Sequence, residues 1–244
     1  MCDIELTKRV IDLNFTLRTL FSFYSYRHIN KALEVACHTW LVFTPTLKGY
    51  RVVYCHLLDP DTKRFVYSDV VRAFVMILDL WQYEEGTWPG VAVIVNMENV
   101  TLGHIAGIDP GVAQQFFYFL QEAMFIRLKE FHFVNAPNFV DKMLSMLKPF
   151  MKSEMLKLLK VHPVGSDTLE QYLPRKALPK DAGGDTKDCI TLRDEIWKKL
   201  KDNAQFYEQE GKKRVDELKR AAGPTGISTF FPSVEGSFKK LSID

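Results

Sequence analysis

The chain has 244 residues, of which 47% are hydrophobic and 25% are charged, and its net charge is +2. This composition is typical of a globular protein with a sizeable core, and the charge balance gives no overall sign of nucleic-acid binding. No apolar run reaches the ~18 residues of a membrane-spanning helix. The four cysteines show no CxxC spacing and the N-terminus has no signal-peptide pattern, which predicts reduced thiols in a cytosolic protein.

The first part of the chain is predicted to be helical. Leucines and valines recur at three- and four-residue steps, which predicts helices over residues 4–21 and 29–37. Breaker residues at 44–50 form a loop that separates this part from the main domain. We therefore expect a small N-terminal helical part over residues 1–45.

Strands and helices alternate in the middle of the chain. Residues 51–58 and 131–135 are rich in β-branched and apolar residues and predict strands, while the near-continuous apolar run at 90–96 is typical of a strand buried on both faces. Helices are predicted over residues 68–83 and 111–128. This alternation favours an α/β fold with a mostly parallel sheet.

The last part of the chain has a weaker pattern. After Pro149 we expect a further helical stretch, then a short strand at 158–162 and a short helix at 167–172. A breaker-rich loop is predicted at 178–184. It is followed by a charged helix at 189–222 and a mobile tail from residue 223.

The segment 135–151 is predicted to be an amphipathic helix with a broad apolar face. Asn135 or Asn138 caps its start, Pro137 lies in its first turn, and Pro149 ends or bends it. Its apolar face contains Phe139, Val140, Met143, Leu144, Met146, Leu147, Phe150 and Met151. Two interpretations stay open: an ordinary helix facing the core, or a lid over an apolar cavity, for which the adaptable methionine side chain is well suited.

The sequence contains none of the usual catalytic or metal-binding motifs. There is no GxGxxG after a strand, no GxxxxGK[ST], no GxSxG and no HExxH, and the six histidines lack metal-ligand spacing. His132, between two phenylalanines, is predicted to be a core or strand residue, and His104 is predicted to bond the backbone of its own loop. Motif absence does not exclude an enzyme, but it leaves no specific reason to propose one, so we expect no catalysis and no cofactor.

Three segments together resemble one family. Residues 90–104 resemble the pocket strand of CRAL-TRIO lipid-binding proteins, residues 132–137 and 148–150 resemble the flanks of their gate helix, and residues 178–184 resemble their closing Leu-Pro-x-Glu-Tyr-Gly-Gly loop. The order and spacing of all three agree over residues 5–185. The similarity is greatest to the animal subgroup that contains the α-tocopherol transfer protein and the cellular retinaldehyde-binding protein.

The resemblance implies a fold and a pocket. The fold is an α/β CRAL-TRIO lipid-binding domain over residues 46–185, with a mostly parallel sheet flanked by helices and a mobile gate helix, followed by a C-terminal helix and flexible tail over residues 186–244. One hydrophobic molecule would lie under the gate. The pocket walls that it implies are Val93, Val95, Leu102, Phe116, Phe119, Leu120, Phe133, Phe139, Val140, Met143, Leu144 and Leu147.

In tocopherol-type members a basic patch near the gate binds phosphoinositide headgroups. The residues to which this role would transfer are Lys148, Lys152, Lys157, Lys160, Arg175 and Lys176. The alternative is an ordinary solvated surface.

Several departures from the family pattern matter. The Arg-rich segment that precedes the Ile4 helix in the family would lie before Met1, so the N-terminal part looks shortened. Glu154 and Leu156 stand about where tocopherol-type members carry basic residues, which weakens the phosphoinositide prediction.

We therefore predict a monomeric, cytoplasmic carrier that associates transiently with membranes and binds no nucleic acid. Its ligand would be a tocopherol, retinoid, carotenoid, other isoprenoid or phospholipid. The rival hypothesis is a non-catalytic regulatory interaction module with the same fold, which would bind a protein partner through the C-terminal helix.

Overall fold

The computed structural model describes residues 3–25, 27–43, 51–221, 223 and 225–231. The predicted loop at 44–50, and with it the predicted boundary between residues 45 and 46, lies outside the described residues. Among the helices within these ranges, none has the length and hydropathy needed to cross a membrane.

A mixed five-stranded sheet forms the centre of the described fold. Its strands are arranged side by side in chain order: β1 (Trp40–Phe43), β2 (Arg51–Leu57), β3 (Val91–Asn96), β4 (Leu128–Ala136) and β5 (Leu159–Pro163). β1 is antiparallel to β2, and every later neighbour is parallel. The predicted α/β architecture with a mostly parallel sheet is confirmed.

In the described part of the chain, helices pack on both faces of the sheet. The α-helices are α1 (Ile4–Leu20), α2 (Ser22–Ser25), α3 (Lys31–Thr39), α4 (Tyr67–Glu85), α5 (Leu102–Ala106), α6 (Pro110–Glu122), α7 (Val140–Leu147), α8 (Ser153–Leu156), α9 (Cys189–Asp202), α10 (Ala204–Lys212) and α11 (Ile227–Phe230). Short 3-10 turns lie at Lys148–Phe150, Thr168–Gln171, Arg175–Ala177, Lys180–Ala182 and Glu217–Lys219.

The central strand β3 divides the core into two layers. Successive side chains of a strand point to opposite faces, so Val93 belongs to the large cluster under α4 and α6, while Ala92 and Ile94 belong to a smaller cluster on the other face. Leu173 and Leu178, from the segment after β5, cover that second face. Both faces of β3 are therefore buried, as its continuous apolar run predicts.

Three helix predictions were wrong in extent. The helix predicted over 111–128 ends at Glu122, because the chain must turn after Ala123 to enter β4. The stretch after Pro149 contains only the single turn of α8. The charged helix predicted over 189–222 breaks at Asn203 into α9 and α10 and ends at Lys212.

The start of α7 also differs from the prediction. Phe139, not Asn135 or Asn138, is the N-cap, and no side chain caps the helix. Asn135 lies inside β4 with a φ of 49°, and its side-chain amide donates to Asn96 Oδ1 at 2.9 Å. Pro137 was predicted to lie in the first turn, but the helix begins at Val140 and Pro137 lies before it.

The last described residue of the chain packs against the N-terminal helical part. Phe231 is buried and stacks on Phe21, with ring centroids 6.0 Å apart. The mobility of the tail from residue 223 stays a prediction, and residues 232–244 lie outside the described part of the chain.

A cluster of buried charges joins the two ends of the described chain. Asp79 of α4 pairs with Arg27 and lies 3.6 Å from Arg18 of α1. Arg18 also donates to Glu210 of α10 at 2.9 Å. Burial by itself disfavours the charged form of Arg18, but the neighbouring acidic groups leave its pKa raised. The N-terminal and C-terminal helices are therefore fastened to the same side of α4.

The closing loop at 178–184 folds tightly around Gly184. A Cβ atom on Gly184 would lie 2.0 Å from the carbonyl oxygen of Leu178 and 2.4 Å from its carbon, which are backbone atoms without room to move. The backbone N–H of Gly184 donates to the carbonyl of Pro179 at 2.9 Å. Only glycine fits this position.

We expect Gly184→Ala to lower the free energy of unfolding by at least about 2 kcal/mol, because the added methyl group forces the loop apart. Gly211→Ala is the matched control, since a Cβ there meets nothing within 4 Å and alanine favours the helix by about 0.5 kcal/mol or more. Urea denaturation measures both. Equal transition midpoints for the two variants would contradict this expectation, because they would mean that the loop accommodates the added methyl group.

Candidate apolar binding site

An apolar cavity of about 140 Å³ lies between the sheet and the helices that cover its first face. Strands β1 to β4 form its floor, and residues from α4 to α7 form its walls. It is lined by Trp40, Cys55, Phe65, Tyr67, Val70, Val71, Phe74, Val93, Val95, Met97, Val100, His104, Ile105, Ile108, Phe116, Phe117, Phe131, Phe133, Met143 and Leu147.

The floor of the cavity follows from strand alternation. Val93 and Val95 of β3 and Phe131 and Phe133 of β4 are two residues apart on their strands, so each pair points to the same face. Opposite them, Phe116 of α6 packs edge-to-face on Phe74 of α4, with ring centroids 5.6 Å apart. These bulky rings keep the sheet and helices apart and leave the cavity between them.

Helix α7 closes one side of the cavity. Met143 and Leu147 are four residues apart, lie on the same face of the helix, and line the cavity while both are buried. Asp141, Lys142 and Ser145 are exposed on the outer face. Helix α7 therefore forms one wall of an apolar cavity.

One side chain of α6 hydrogen-bonds the segment that follows α7. Gln121 Nε2 donates to the carbonyl of Phe150 at 3.0 Å, and Gln121 Oε1 accepts from the backbone N–H of Lys152 at 2.7 Å. These two hydrogen bonds attach the short turn that follows α7 to α6.

The structure brings part of the predicted pocket set together. Val93, Val95, Phe116, Phe133, Met143 and Leu147 line the cavity. Leu102 is 52% exposed, because α5 turns it away from the core. Phe119 and Leu120 are buried outside the cavity lining, and the Phe119 ring packs on Tyr24 at a centroid distance of 4.8 Å.

Three other predicted residues belong to the α7 segment but do not line the cavity. Val140 and Leu144 are buried and Phe139 is half-buried. For all twelve residues, contact with a ligand stays a prediction.

Sequence reasoning missed the lining residues that come from β1, β2, α4 and the loop before α4. Trp40, Cys55, Phe65, Val70 and Phe74 line the cavity. Most of the α4 residues between Val70 and Trp81 are buried, so the sequence pattern of this helix does not separate cavity-facing residues from core residues.

The predicted basic residues lie in different settings. Lys152 forms an ion pair with Glu122, and Arg175 lies 3.8 Å from Glu170. Lys160 pairs with Glu130 at 3.3 Å and lies over the Tyr172 ring. Lys148, Lys157 and Lys176 are exposed. Phosphoinositide binding by these residues stays a prediction.

His104 holds the start of α5. Its Nδ1 atom accepts the backbone N–H of Thr101 at 3.1 Å, which confirms that this histidine bonds its own loop. Its ring packs edge-to-face on Phe65. Burial in this apolar setting lowers the pKa of His104, so the neutral form dominates at neutral pH.

The other face of the sheet carries polar groups that bond mainly to one another. His132 is fully buried, as predicted, and its Nδ1 lies 2.9 Å from His162 Nε2. Asn96 donates to the Tyr54 hydroxyl at 2.8 Å. A second, polar cavity of about 240 Å³ lies beside these residues. In the described ranges, no three His, Cys, Asp or Glu side chains lie close enough to hold a metal ion.

Comparison with known proteins identifies the family. The profile of the CRAL/TRIO domain matches residues 40–184, which is more than half of the chain. The mouse (Mus musculus) protein named alpha-tocopherol transfer protein-like is 29% identical over 143 residues, which are 56% of this chain and 42% of that protein. Rat (Rattus norvegicus) clavesin-2 is 23% identical over 137 residues, again 56% of this chain and 42% of the relative.

Among solved structures, the crystal structure of Sfh5 overlaps 77% of this chain and 70% of its own, with 14% identity and a TM-score of 0.45. The chain covers less than half the length of the curated relatives that it matches. The family match contains strands β1 to β5, the apolar cavity and helix α7. The chain therefore belongs to the CRAL/TRIO domain family.

Proposed function

We propose that this protein binds one hydrophobic lipid in the apolar cavity beneath α7 and carries it between membranes. The observation that carries the proposal is the cavity itself, whose lining is almost wholly apolar. Large apolar pockets with few polar groups are typical ligand sites. A relative named alpha-tocopherol transfer protein-like supports transport of a lipid of this kind.

We infer from the size of the cavity that α7 moves when the ligand enters. A cavity of about 140 Å³ is comparable with the ~150 Å³ engineered cavities that hold benzene, whereas pockets for larger ligands measure roughly 300–1,000 Å³. A tocopherol or a phospholipid is much larger than benzene. Outward movement of α7 would enlarge the cavity and expose Met143 and Leu147 to the membrane, while Gln121 of α6 holds the segment that follows α7.

The ligand classes in the proposal are tocopherols, retinoids, carotenoids, other isoprenoids and phospholipids. Burial of their chains stabilises the complex by roughly 25 cal/mol per Å² of apolar area, before the cost of ordering ligand and helix. We further propose a cytoplasmic carrier that docks transiently on membranes, with the exposed Lys148 and Lys157 close to the lipid headgroups. We propose no catalysis.

The rival interaction module is less well supported. It would use the C-terminal helix to bind a partner, but α9 and α10 place Leu200 and Tyr207 in the core, and the Tyr207 hydroxyl donates to the carbonyl of Met76 at 2.9 Å. One face of α9 and α10 therefore packs against the rest of this chain and is not free to bind a partner. Truncation after Gly184 would remove core residues together with any partner surface, so it does not separate the two hypotheses.

The test is to purify the full chain from its native source, extract it with organic solvent and identify the extracted molecules by mass spectrometry. One lipid in a 1:1 ratio with the protein would support the proposal and name the ligand. A protein that contains no lipid and takes up none from vesicles would contradict it.

A further inference from the structure

Two buried histidines on the second face of the sheet hydrogen-bond each other. His132 of β4 is 0% exposed and His162 of β5 is 4% exposed. The Nδ1 atom of His132 lies 2.9 Å from Nε2 of His162, and the two rings are stacked with centroids 5.2 Å apart. A hydrogen bond between two imidazoles contains one proton, so only one of the two nitrogens carries it. This bond is therefore sensitive to the protonation of either ring.

The outer partners of the pair fix where its protons lie. The carboxylate of Glu130 only accepts hydrogen bonds, so His132 Nε2, which is 3.1 Å from Glu130 Oε2, carries a proton. In the neutral ring His132 Nδ1 is then an acceptor, and the proton of the shared bond belongs to His162 Nε2. His162 Nδ1 accepts from the Thr168 hydroxyl at 2.7 Å. Both neutral rings are thus Nε2–H tautomers, and each of their four nitrogens has a partner.

The pair accommodates one added proton but not two. With one added, His132 donates both to Glu130 and to His162 Nε2. His162 Nδ1 then donates to the Thr168 hydroxyl, so every contact is kept. A second proton would place N–H groups on both nitrogens of the 2.9 Å contact, and the two positive charges would repel each other. In the unfolded chain, by contrast, each histidine takes up its own proton near pH 6.5.

The surroundings disfavour positive charge on the pair. Burial lowers the pKa of both histidines, and the Lys160 ammonium group lowers it further. Glu130 acts in the opposite direction on the pKa of His132. Tyr172 packs on both rings. The other charged or titratable groups in the lining of the polar cavity, which His162 also lines, are Tyr54, Glu98, Asp167, Glu170 and Arg175.

The pair fastens the chain that follows β5 to the sheet. β5 is the edge strand of the described sheet and pairs with β4. Thr168 is bonded to His162, and the Tyr172 ring packs on His132 at a centroid distance of 4.8 Å. Leu173, the next residue, covers the second face of the sheet. Loss of the hydrogen bond between the histidines would thus loosen both β5 and the segment that follows it.

We propose that the His132–His162 pair is an acid-sensitive joint, which releases β5 and residues 164–173 from β4 when both rings are protonated. His132 lies between Phe131 and Phe133, which point to the opposite face and line the apolar cavity, so the inference does not depend on lipid binding. Because the folded pair binds fewer protons in acid than the unfolded chain does, the protein loses stability as the pH falls below about 6.5 and keeps it above that value.

The first test compares unfolding of the full chain at pH 7.5 and pH 5.0. One excluded proton should raise the unfolding equilibrium constant about 30-fold between these values, for a histidine that titrates near 6.5 when unfolded. His162→Gln keeps an amide that donates to His132 but takes up no proton, so its rise should be about 30-fold smaller than that of the wild-type protein. His28→Gln removes an exposed histidine, and its rise should equal that of the wild type. Equal rises in all three proteins would overturn the inference.

Two further measurements on the wild-type chain need no variant, so they decide the outcome even where His162→Gln does not fold. Nitrogen-15 NMR of the histidine rings at pH 7.5 should show both His132 and His162 as Nε2–H tautomers. Hydrogen exchange, corrected for the intrinsic rate, should show that the amides of β5 lose protection at pH 5.0 while those of β3 keep theirs. An Nδ1–H tautomer of either ring, or equal protection of β5 at both pH values, would overturn the inference.

Discussion

Met143→Glu should release a bound lipid at least about ten times faster than the wild-type protein. Met143 is 4% exposed and lines the cavity from α7, so the substitution places a carboxylate in an apolar enclosure. An unpaired buried charge costs several kcal/mol, and every 1.4 kcal/mol corresponds to a factor of ten. The loss should be smaller in acid, where the carboxylate is protonated. Release of a fluorescent isoprenoid into acceptor vesicles measures the effect.

Ser145→Glu provides the control for this variant. It places the same side chain on the same helix, but on the exposed outer face. We expect it to retain lipid nearly as well as the wild-type protein. If a folded Met143→Glu protein retained lipid as well as Ser145→Glu, α7 would not be the wall that holds the ligand.

Asp79→Asn should lower the free energy of unfolding by about 3 kcal/mol or more, although the residue lies outside the cavity. Asp79 pairs with Arg27 and Arg18, whose side chains are 2% and 6% exposed. Removing the carboxylate leaves these guanidinium groups buried with less compensating charge, and breaking a buried pair in this way typically costs 3–5 kcal/mol. Glu210 still compensates Arg18 but lies on a different helix.

Asp202→Asn is the matched control, because it breaks the ion pair with Lys198 on the surface of α9, where the side chains are 55% and 73% exposed. Such pairs contribute under about 1 kcal/mol. Chemical denaturation of both variants compares the two settings. Equal losses would mean that the buried cluster does not fasten α1 and α10 to α4.

The sequence predicts the strands of the parallel part of the sheet well and the antiparallel edge poorly. The continuous apolar run of β3 is typical of a strand buried on both faces, and that is where β3 lies. β1 was not predicted, since it has four residues and follows α3 directly. Its strand conformation depends on antiparallel pairing with β2, such as Trp40 with Leu57, which no local pattern shows.

The cavity could be predicted in outline but not in detail. The face of α7 that carries Met143 and Leu147 follows from helical spacing, and the family resemblance indicates a pocket beneath it. The resemblance also named Leu102 and Phe119, which lie outside the cavity because α5 turns outward and α6 packs on Tyr24. The position of such residues depends on how helices pack, and sequence periodicity does not describe packing.

The sequence predicts one of the contacts of His104 but not the other. Its spacing from Thr101 predicts a bond to its own loop, and that bond forms. The direction of the other nitrogen depends on where α5 lies relative to α4 and the sheet. The surroundings of this nitrogen are therefore set by helix packing, which the sequence alone does not show.

The most direct test of the account is to map where a bound lipid lies. An isoprenoid carrying a photoreactive diazirine is loaded onto the full chain from vesicles and irradiated, and the labelled residues are located by mass spectrometry. The account predicts labels on Phe116, Phe133, Met143 and Leu147, which line the apolar cavity. Labels confined to the outer surface, or to the polar cavity near Asn96 and His162, would contradict it.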